Sequence, residues 1–331
     1  MNKKGYFCYS DDLYMKKLVL FFLCPLWCFS QTSYQDLQLL LEQKNYTKAE
    51  ALVTPIVTSN PTDVKAIELL GDTYAYQEKW DEAMEQYKKL TSLKPKVANY
   101  HYKYGGALGM KALSVNKLSA LVYLSDLKEA FLTAAKLDKN HIETRWALVE
   151  LYMQLPAIVG GSKDTSLKYA EELEQLSKVD GYLAKGYIYE YDDEAILAER
   201  YYKKAIEIGG SITCYNKLSE FYENQKQPEK AISNIEEAQE KLQRNGLHYQ
   251  LGKVSAEYNM QLEKGEACLK NYIKNYSPED GVPIAWANYR LAQIYRQKNN
   301  KTEALKYINL AVKELPEIKV FQEERSAILK L

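Results

Sequence analysis

The sequence predicts an all-α fold built as a row of helical hairpins, and three observations predict it. A helical signature of small and large residues recurs along the chain. Where it is regular its copies fall about 34 residues apart, and prolines fall at the boundaries of the segments that carry it. At 331 residues the chain is already large for a single compact core, so either two domains or a repeat is expected. Lys+Arg and Asp+Glu both count 44, which removes any global electrostatic attraction to nucleic acid or an anionic surface and leaves only local patches. Tyrosine is the compositional outlier, 29 against 7 Phe, which suits many small helix–helix contacts in which the ring packs and the hydroxyl reaches water.

The first thirty residues stand apart. Lys16-Lys17 precede an apolar run from Leu18 to Phe29, followed by Ser30-Gln31, which is the design of a secretory signal peptide. The run amounts to about 18 Å of helix, too short to span a bilayer. Residues 1–14 add nothing to this design and are consistent with a start codon placed too early. Neither Cys24 nor Cys28 follows the small residue that lipid attachment needs. Cleavage is expected at Ser30–Gln31, leaving Cys214 and Cys268, either as two small core thiols or as one disulfide.

Four segments share Ala at i, a large residue at i+4 and a small or apolar one at i+7. They are Ala83/Tyr87/Leu90, Ala198/Tyr202/Ala205, Ala231/Ile235/Ala238 and Ala304/Ile308/Ala311, each triplet on one helical face. Twelve and nine residues upstream lie Gly71/Tyr74, Gly186/Tyr189, Ser219/Tyr222 and Ala292/Tyr295, a small residue and a tyrosine on the partner helix. The segment 66–95 carries Ile67, Leu70, Gly71, Tyr74, Trp80, Ala83, Tyr87, Leu90 and Pro95, and it resembles a near-consensus tetratricopeptide repeat. These residues fall at the family's positions 4, 7, 8, 11, 17, 20, 24, 27 and 32. Residues 288–316 match nearly as well.

The resemblance implies a right-handed α-solenoid over 31–331, about eight helix pairs closed by a capping helix at 318–331, seventeen helices in all. Position 20 of the successive repeats is read as Ala49, Ala83, Leu127, Ala170, Ala198, Ala231, Ala267 and Ala304, in steps of 34, 44, 43, 28, 33, 36 and 37 residues. Two steps are thus stretched, by insertions at 111–120 and 156–165, and one is compressed. Pro61, Pro95 and Pro316 are expected just after second helices, Pro228 at a helix start, and Pro55 inside a second helix, which it should kink. Leu93 is read as solvent-facing.

No motif carries catalysis, a metal or a cofactor. Residues 160–165 lack the first glycine of a phosphate loop, and the glycines at 105, 106 and 109 lie on a first helix rather than after a strand. Gly105 falls at the small position 8; Gly106 and Gly109 weaken the helix interior without an evident packing reason. His101, His141 and His248 are scattered, with no ligand-spaced partner.

The resemblance also implies where a ligand would lie. Positions 2, 5, 9 and 12 of the first helices face the concave groove, and they carry Tyr102, Trp146, Glu150, Tyr187, Asn216, Trp286 and Tyr289. Aromatics with a few charges there are the composition of a protein-binding hot spot, and Glu150 could orient a basic or amide-rich ligand. The alternative places Trp146 or Trp286 in the core. Glu68, Asp72 and Lys103 do not match the family's clamp for chaperone tails, so capture of a C-terminal carboxylate by that device is excluded. The function expected is a non-catalytic adaptor that binds a protein or peptide in a bacterial envelope. A structural subunit working through the convex face and the insertions is the rival reading.

Overall fold

A computed structural model describes residues 34–331 and shows an all-α protein. The signal-peptide segment, with its expected cleavage point, lies outside those residues. Seventeen α-helices are present among the described residues. They are α1 (34–42), α2 (Tyr46–Ser59), α3 (Val64–Tyr76), α4 (Trp80–Leu93), α5 (Ala98–Ser114), α6 (Lys117–Leu137), α7 (Ile142–Gln154), α8 (Lys163–Leu176) and α9 (Lys178–Tyr191). The remainder are α10 (Ala195–Gly209), α11 (Ile212–Asn224), α12 (Pro228–Leu242), α13 (Asn245–Tyr258), α14 (Leu262–Lys274), α15 (Ile284–Gln297), α16 (Lys301–Glu314) and α17 (Lys319–Leu329). The described residues fall into two compact units that divide within α7, the first ending at Leu148 and the second running from Val149 to Leu331.

In the first unit each of α2 to α6 packs on its neighbours in sequence. One core layer joins Leu37, Ala49, Val53, Ala66, Leu69 and Leu70; the next joins Ile67, Ala83, Tyr87, Leu90 and Ala107. Leu93 is half-buried against this second layer rather than solvent-facing. In the second unit the same neighbour packing runs from α8 to α17, and first helices also touch the next first helix, α9 on α11, α13 on α15 and α15 on α17. Contacts in both units stay local in sequence, as hairpin stacking requires.

The small residue at position 8 lets the position-24 ring lie against the helix. A Cβ built on Gly71 would come within 2.6 Å of the Tyr87 ring, on Gly105 within 2.7 Å of Phe131, and on Gly186 within 2.5 Å of Tyr202. The three rings are buried, and the two tyrosine hydroxyls donate to carboxylates. Tyr87 Oη donates to Asp72 at 2.7 Å and Tyr202 Oη to Glu190 at 2.7 Å.

Two repeats have a different register from the one the sequence suggested. In α8 the buried triplet is Ser166, Ala170 and Leu173, with Ser166 Oγ donating 2.7 Å to the Val149 carbonyl, so Ser166 and not Ala170 holds position 20. In α14 Ala267 is exposed, while Gly265, Leu269 and Tyr272 are buried and Gly265 sits against Ser255. The steps then become 34, 44, 39, 32, 33, 34 and 39, without the compressed one. A serine and a glycine took the place of the expected alanine, and the nearest alanine drew the reading aside.

The corrected register exposes a recurrent clasp. Glu50, Glu199 and Glu266 all follow position 20. Glu199 and Glu266 each accept from a tyrosine of the next repeat, Tyr222 Oη at 3.0 Å and Tyr295 Oη at 2.7 Å. Each of the three also pairs with a lysine of the next repeat: Lys79 at 2.7 Å, Lys230 at 3.2 Å and Lys298 at 2.8 Å. Burial alone would raise the Glu266 carboxyl, but hydrogen bonds from Lys270, Lys298 and Tyr295 together hold it at about 2.

Hairpin turns are equally regular. Lys44, Glu78, Asp193, Lys226 and Asn299 are left-handed, φ between 55° and 58°, and each lies five residues before its position 20. Pro61, Pro95 and Pro316 follow second helices and Pro228 opens α12, while α2 continues through Pro55 to Ser59. The insertion expected at 111–120 is not a loop. It lengthens both helices of one hairpin, α5 to Ser114 and α6 from Lys117, with the Asn116 side chain accepting from the Leu118 and Ser119 amides at 3.1 Å each. Of the insertion expected at 156–165, residues 156–162 form a connection with a short 3-10 turn at Ala157–Val159, Ser162 caps α8, and 163–165 already belong to that helix. Lys163 there pairs with Asp192 and Glu194. Cys214 is buried, Cys268 is partly buried, and both thiols are free.

Candidate functional site

The first helices carry two kinds of outward residue: those that bind the next repeat and those left over. In the first unit, Lys103 of α5 bridges to α3, its Nζ 2.7 Å from Glu68 Oε1 and 2.8 Å from both Asp72 oxygens. Burial would lower the Lys103 pKa, but the two carboxylates outweigh it and hold the ammonium above its usual value. This cluster is closed on itself, with one ammonium shared by two carboxylates and one negative charge left over. Tyr102 is half-buried, its ring centroid 6.1 Å from Phe131 and 5.2 Å from His141. Beside it Gly106 is open, with nothing within 4 Å of a built Cβ. Trp146 is half-buried on α7.

In the second unit a ladder of polar contacts joins each first helix to the next. Gln154 Nε2 donates to Tyr187 Oη (3.3 Å), Asn224 Nδ2 to Glu190 Oε1 (2.9 Å) and Gln250 Nε2 to Asn216 Oδ1 (3.0 Å). Lys253 pairs with Glu223 (2.9 Å), Arg290 with Glu257 (2.6 Å) and Arg296 with Glu324 of α17 (2.5 Å). Sequence reading missed Gln154, Asn224, Gln250, Lys253 and Glu257. The available signal was a pair of complementary polar residues about one repeat apart.

Glu150 stands outside that ladder, and Tyr187 joins it only through its hydroxyl. Glu150 makes no hydrogen bond or ion pair among the described residues, and the protein around it raises its pKa by desolvation against the weaker opposing field of Lys217. Lys217 itself pairs with Glu220 at 2.9 Å. Tyr187 is half-buried, its ring 6.0 Å from Tyr191, and burial raises its pKa, with Glu150 adding a smaller push in the same direction. Glu150 lies one turn before Gln154 on α7, and Gln154 bonds the Tyr187 hydroxyl, so the two side chains belong to the same stretch of wall. Asn216 spends its carbonyl on Gln250. Trp286 and Tyr289 face the capping helix, 4.9 Å and 5.0 Å from the Phe321 ring, and are partly buried against the core. Much of their aromatic surface is spent on closing the last repeat.

The remaining candidates serve packing or capping. His101 approaches the Pro95 carbonyl at 2.9 Å, and His141 Nδ1 accepts from the Thr144 amide at 3.2 Å. Among the described residues no group of His, Cys, Asp and Glu is placed to hold a metal, and no helix is long and apolar enough to cross a membrane.

Comparison with known proteins agrees with this geometry. A TPR repeat profile matches residues 71–111, and a tetratricopeptide repeat profile matches 212–240 and 287–314. The chain is a tetratricopeptide-repeat protein. Such repeats typically mediate protein–protein interactions and are generally non-catalytic. No curated protein matches the chain. Among solved structures, a tetratricopeptide repeat protein from Parabacteroides merdae ATCC 43184 is 13% identical, with a TM-score of 0.50, over 90% of this chain and 99% of that one. Yeast Tom70 is 17% identical, with a TM-score of 0.59, over 87% of this chain and 58% of its own. YrrB, described as a TPR protein with an unusual peptide-binding site, is 17% identical, with a TM-score of 0.40, over 60% of this chain and 98% of its own. At these identities the likeness is one of fold.

Proposed function

We propose that this tetratricopeptide-repeat protein is a non-catalytic adaptor that holds an extended peptide segment of a partner against the first-helix wall of residues 149–331. The observation that carries the reading is Glu150. It is an exposed carboxylate that its surroundings desolvate enough to raise its pKa, and it has no donor among the described residues, whereas Glu190, Glu223 and Glu257 on the same wall are paired. A lysine, arginine or amide of a ligand would supply the missing donor, and the adjacent Tyr187 ring offers an aromatic face to the same segment. Tyr187 is half-buried and accepts a hydrogen bond from Gln154 at 3.3 Å, so part of its rotamer freedom is already lost before binding.

The basic, then apolar, then small pattern of residues 16–31 supports export to the periplasm or beyond, with a mature chain starting at Gln31. Peptides selected from a random library on the full chain should be enriched in Lys, Arg, Asn or Gln, and Glu150→Gln should erase the enrichment in basic residues. Selection that yields no consensus, or one indifferent to Glu150 and Tyr187, would remove the proposal.

The rival reading, a structural subunit that works through its insertions, is favoured by one observation. The α5–α6 extension exposes Leu113 and Leu118, 71% and 80% accessible.

A further inference from the structure

Helix α6 is 21 residues long where the second helix α4 has 14, and the extra turns add about 10 Å at ~1.5 Å per residue to the end of the α5–α6 hairpin. That end is apolar and open. Leu118 is 80% accessible, Val122 79% and Leu113 71%, with Met110 and Leu121 exposed beside them. Leu118, Leu121 and Val122 share one face of α6, since they stand at i, i+3 and i+4. Nothing in the repeat needs these residues. The position-20 residue of this hairpin is Leu127, five residues beyond Val122.

The charge of the tip points to its occupant. From Met110 to Ser125 there is no Asp or Glu, and the only charged residues are Lys111 and Lys117, in a chain that is 27% charged and neutral overall. Lys111 is held by Asp81 at 2.6 Å, whereas Lys117 is exposed and has no partner among the described residues. A second copy on the same tip would set Lys117 against Lys117 with no carboxylate from 110–125 to separate them, since the nearby Asp81 is engaged by Lys111. The exposed set is aliphatic, without the Trp, Tyr or Arg anchors that carry protein interfaces. The start of α6 is capped, because Asn116 accepts from both the Leu118 and Ser119 amides. A tip with a capped helix start, branched aliphatics and a flanking lysine is suited to the boundary between headgroups and acyl chains, where the lysine stem lies along apolar surface and its ammonium meets phosphate.

We propose that the α5–α6 tip is a peripheral membrane-docking element that inserts Leu113, Leu118, Leu121 and Val122 into the interface of a bilayer containing anionic lipids. The test is flotation of the full chain with vesicles of phosphatidylcholine, alone or with one-third phosphatidylglycerol, read together with amide exchange of the peptide covering 110–123. The wild type should float with the anionic vesicles, and exchange in 110–123 should slow when it does. Leu113→Ser/Leu118→Ser/Val122→Ser together should cut partitioning at least tenfold without changing helicity. Lys117→Gln should cut it about fivefold on the anionic vesicles and little on the neutral ones. Three results would overturn the proposal. The chain fails to float; it floats equally well with the triple substitution, so that another segment is responsible; or exchange in 110–123 slows with protein concentration alone, accompanied by a dimer in light scattering, so that a second copy covers the tip.

Discussion

Gly105 and Gly106 are consecutive on α5, and the structure assigns opposite signs to the same substitution at the two sites. Replacing either by alanine removes a helix-interior glycine, a gain of about 1 kcal/mol. At Gly106 the new methyl meets nothing within 4 Å, so the gain should be realised in full. At Gly105 it would stand 2.7 Å from Cδ1 and Cε1 of Phe131, a ring only 6% exposed. An ordinary contact is about 3.4 Å or more, so the ring or the helix must retreat by roughly 0.7 Å in a filled core, and overpacking of this kind costs about 1–3 kcal/mol. Gly105→Ala should therefore be net destabilising by about 1 kcal/mol and Gly106→Ala stabilising by about 1 kcal/mol. Urea unfolding followed by helical circular dichroism reads the sign, and amide exchange in α5 reads it locally. Shifts in the same direction would refute the position-8 packing account of this repeat.

Two other consequences concern the joints between repeats. Glu266 has a folded pKa of about 2, below its unfolded value, so its contribution is present above the unfolded pKa and is lost as pH falls toward 2. Glu266→Gln should accordingly cost about 1–2 kcal/mol at pH 7 and progressively less down to pH 2.5 in parallel melts, and a cost independent of pH would contradict the clasp. Ala198 is fully buried at a helix crossing, so Ala198→Trp should destabilise the chain by about 3 kcal/mol or more, whereas Ala267→Trp at the exposed site in α14 should be near neutral. Comparable losses at both sites in thermal melts would restore the register with Ala267 at position 20.

Much of this fold was legible because the repeat is written in residue size. Ala83, Tyr87 and Leu90 announce their face, and the same triplet recurs wherever a bulky side chain must fit beside a small one. Legibility failed where another small residue did that work. Ser166 packs at its site by bonding the Val149 carbonyl, and Gly265 by lying against Ser255, and neither looks like the alanine being sought. The left-handed turn residues were silent for a related reason. Lys44, Glu78, Asp193 and Lys226 are not glycine, and hairpin closure imposes their conformation in spite of the local cost.

The wall was legible in position but not in use. Repeat position placed Tyr187, Asn216, Trp286 and Tyr289 on first helices. Whether each is free depends on the next helix, and Phe321 and Gln250 take up three of the four. Glu150 was named from its repeat position, and the structure adds that Glu190, Glu223 and Glu257 beside it are paired while it is not among the described residues.

The most direct test of the central claim is the affinity of a selected peptide, measured by titration calorimetry, for the wild type, Tyr187→Ala and Glu150→Gln. Loss of a central aromatic anchor costs about 2 kcal/mol, so Tyr187→Ala should weaken binding about thirtyfold with the melting temperature unchanged. Glu150→Gln should weaken a lysine-bearing peptide but not its norleucine counterpart. Equal affinity across the three proteins, with binding lost instead when the α5–α6 tip is substituted, would contradict the account and make the hairpin the contact surface.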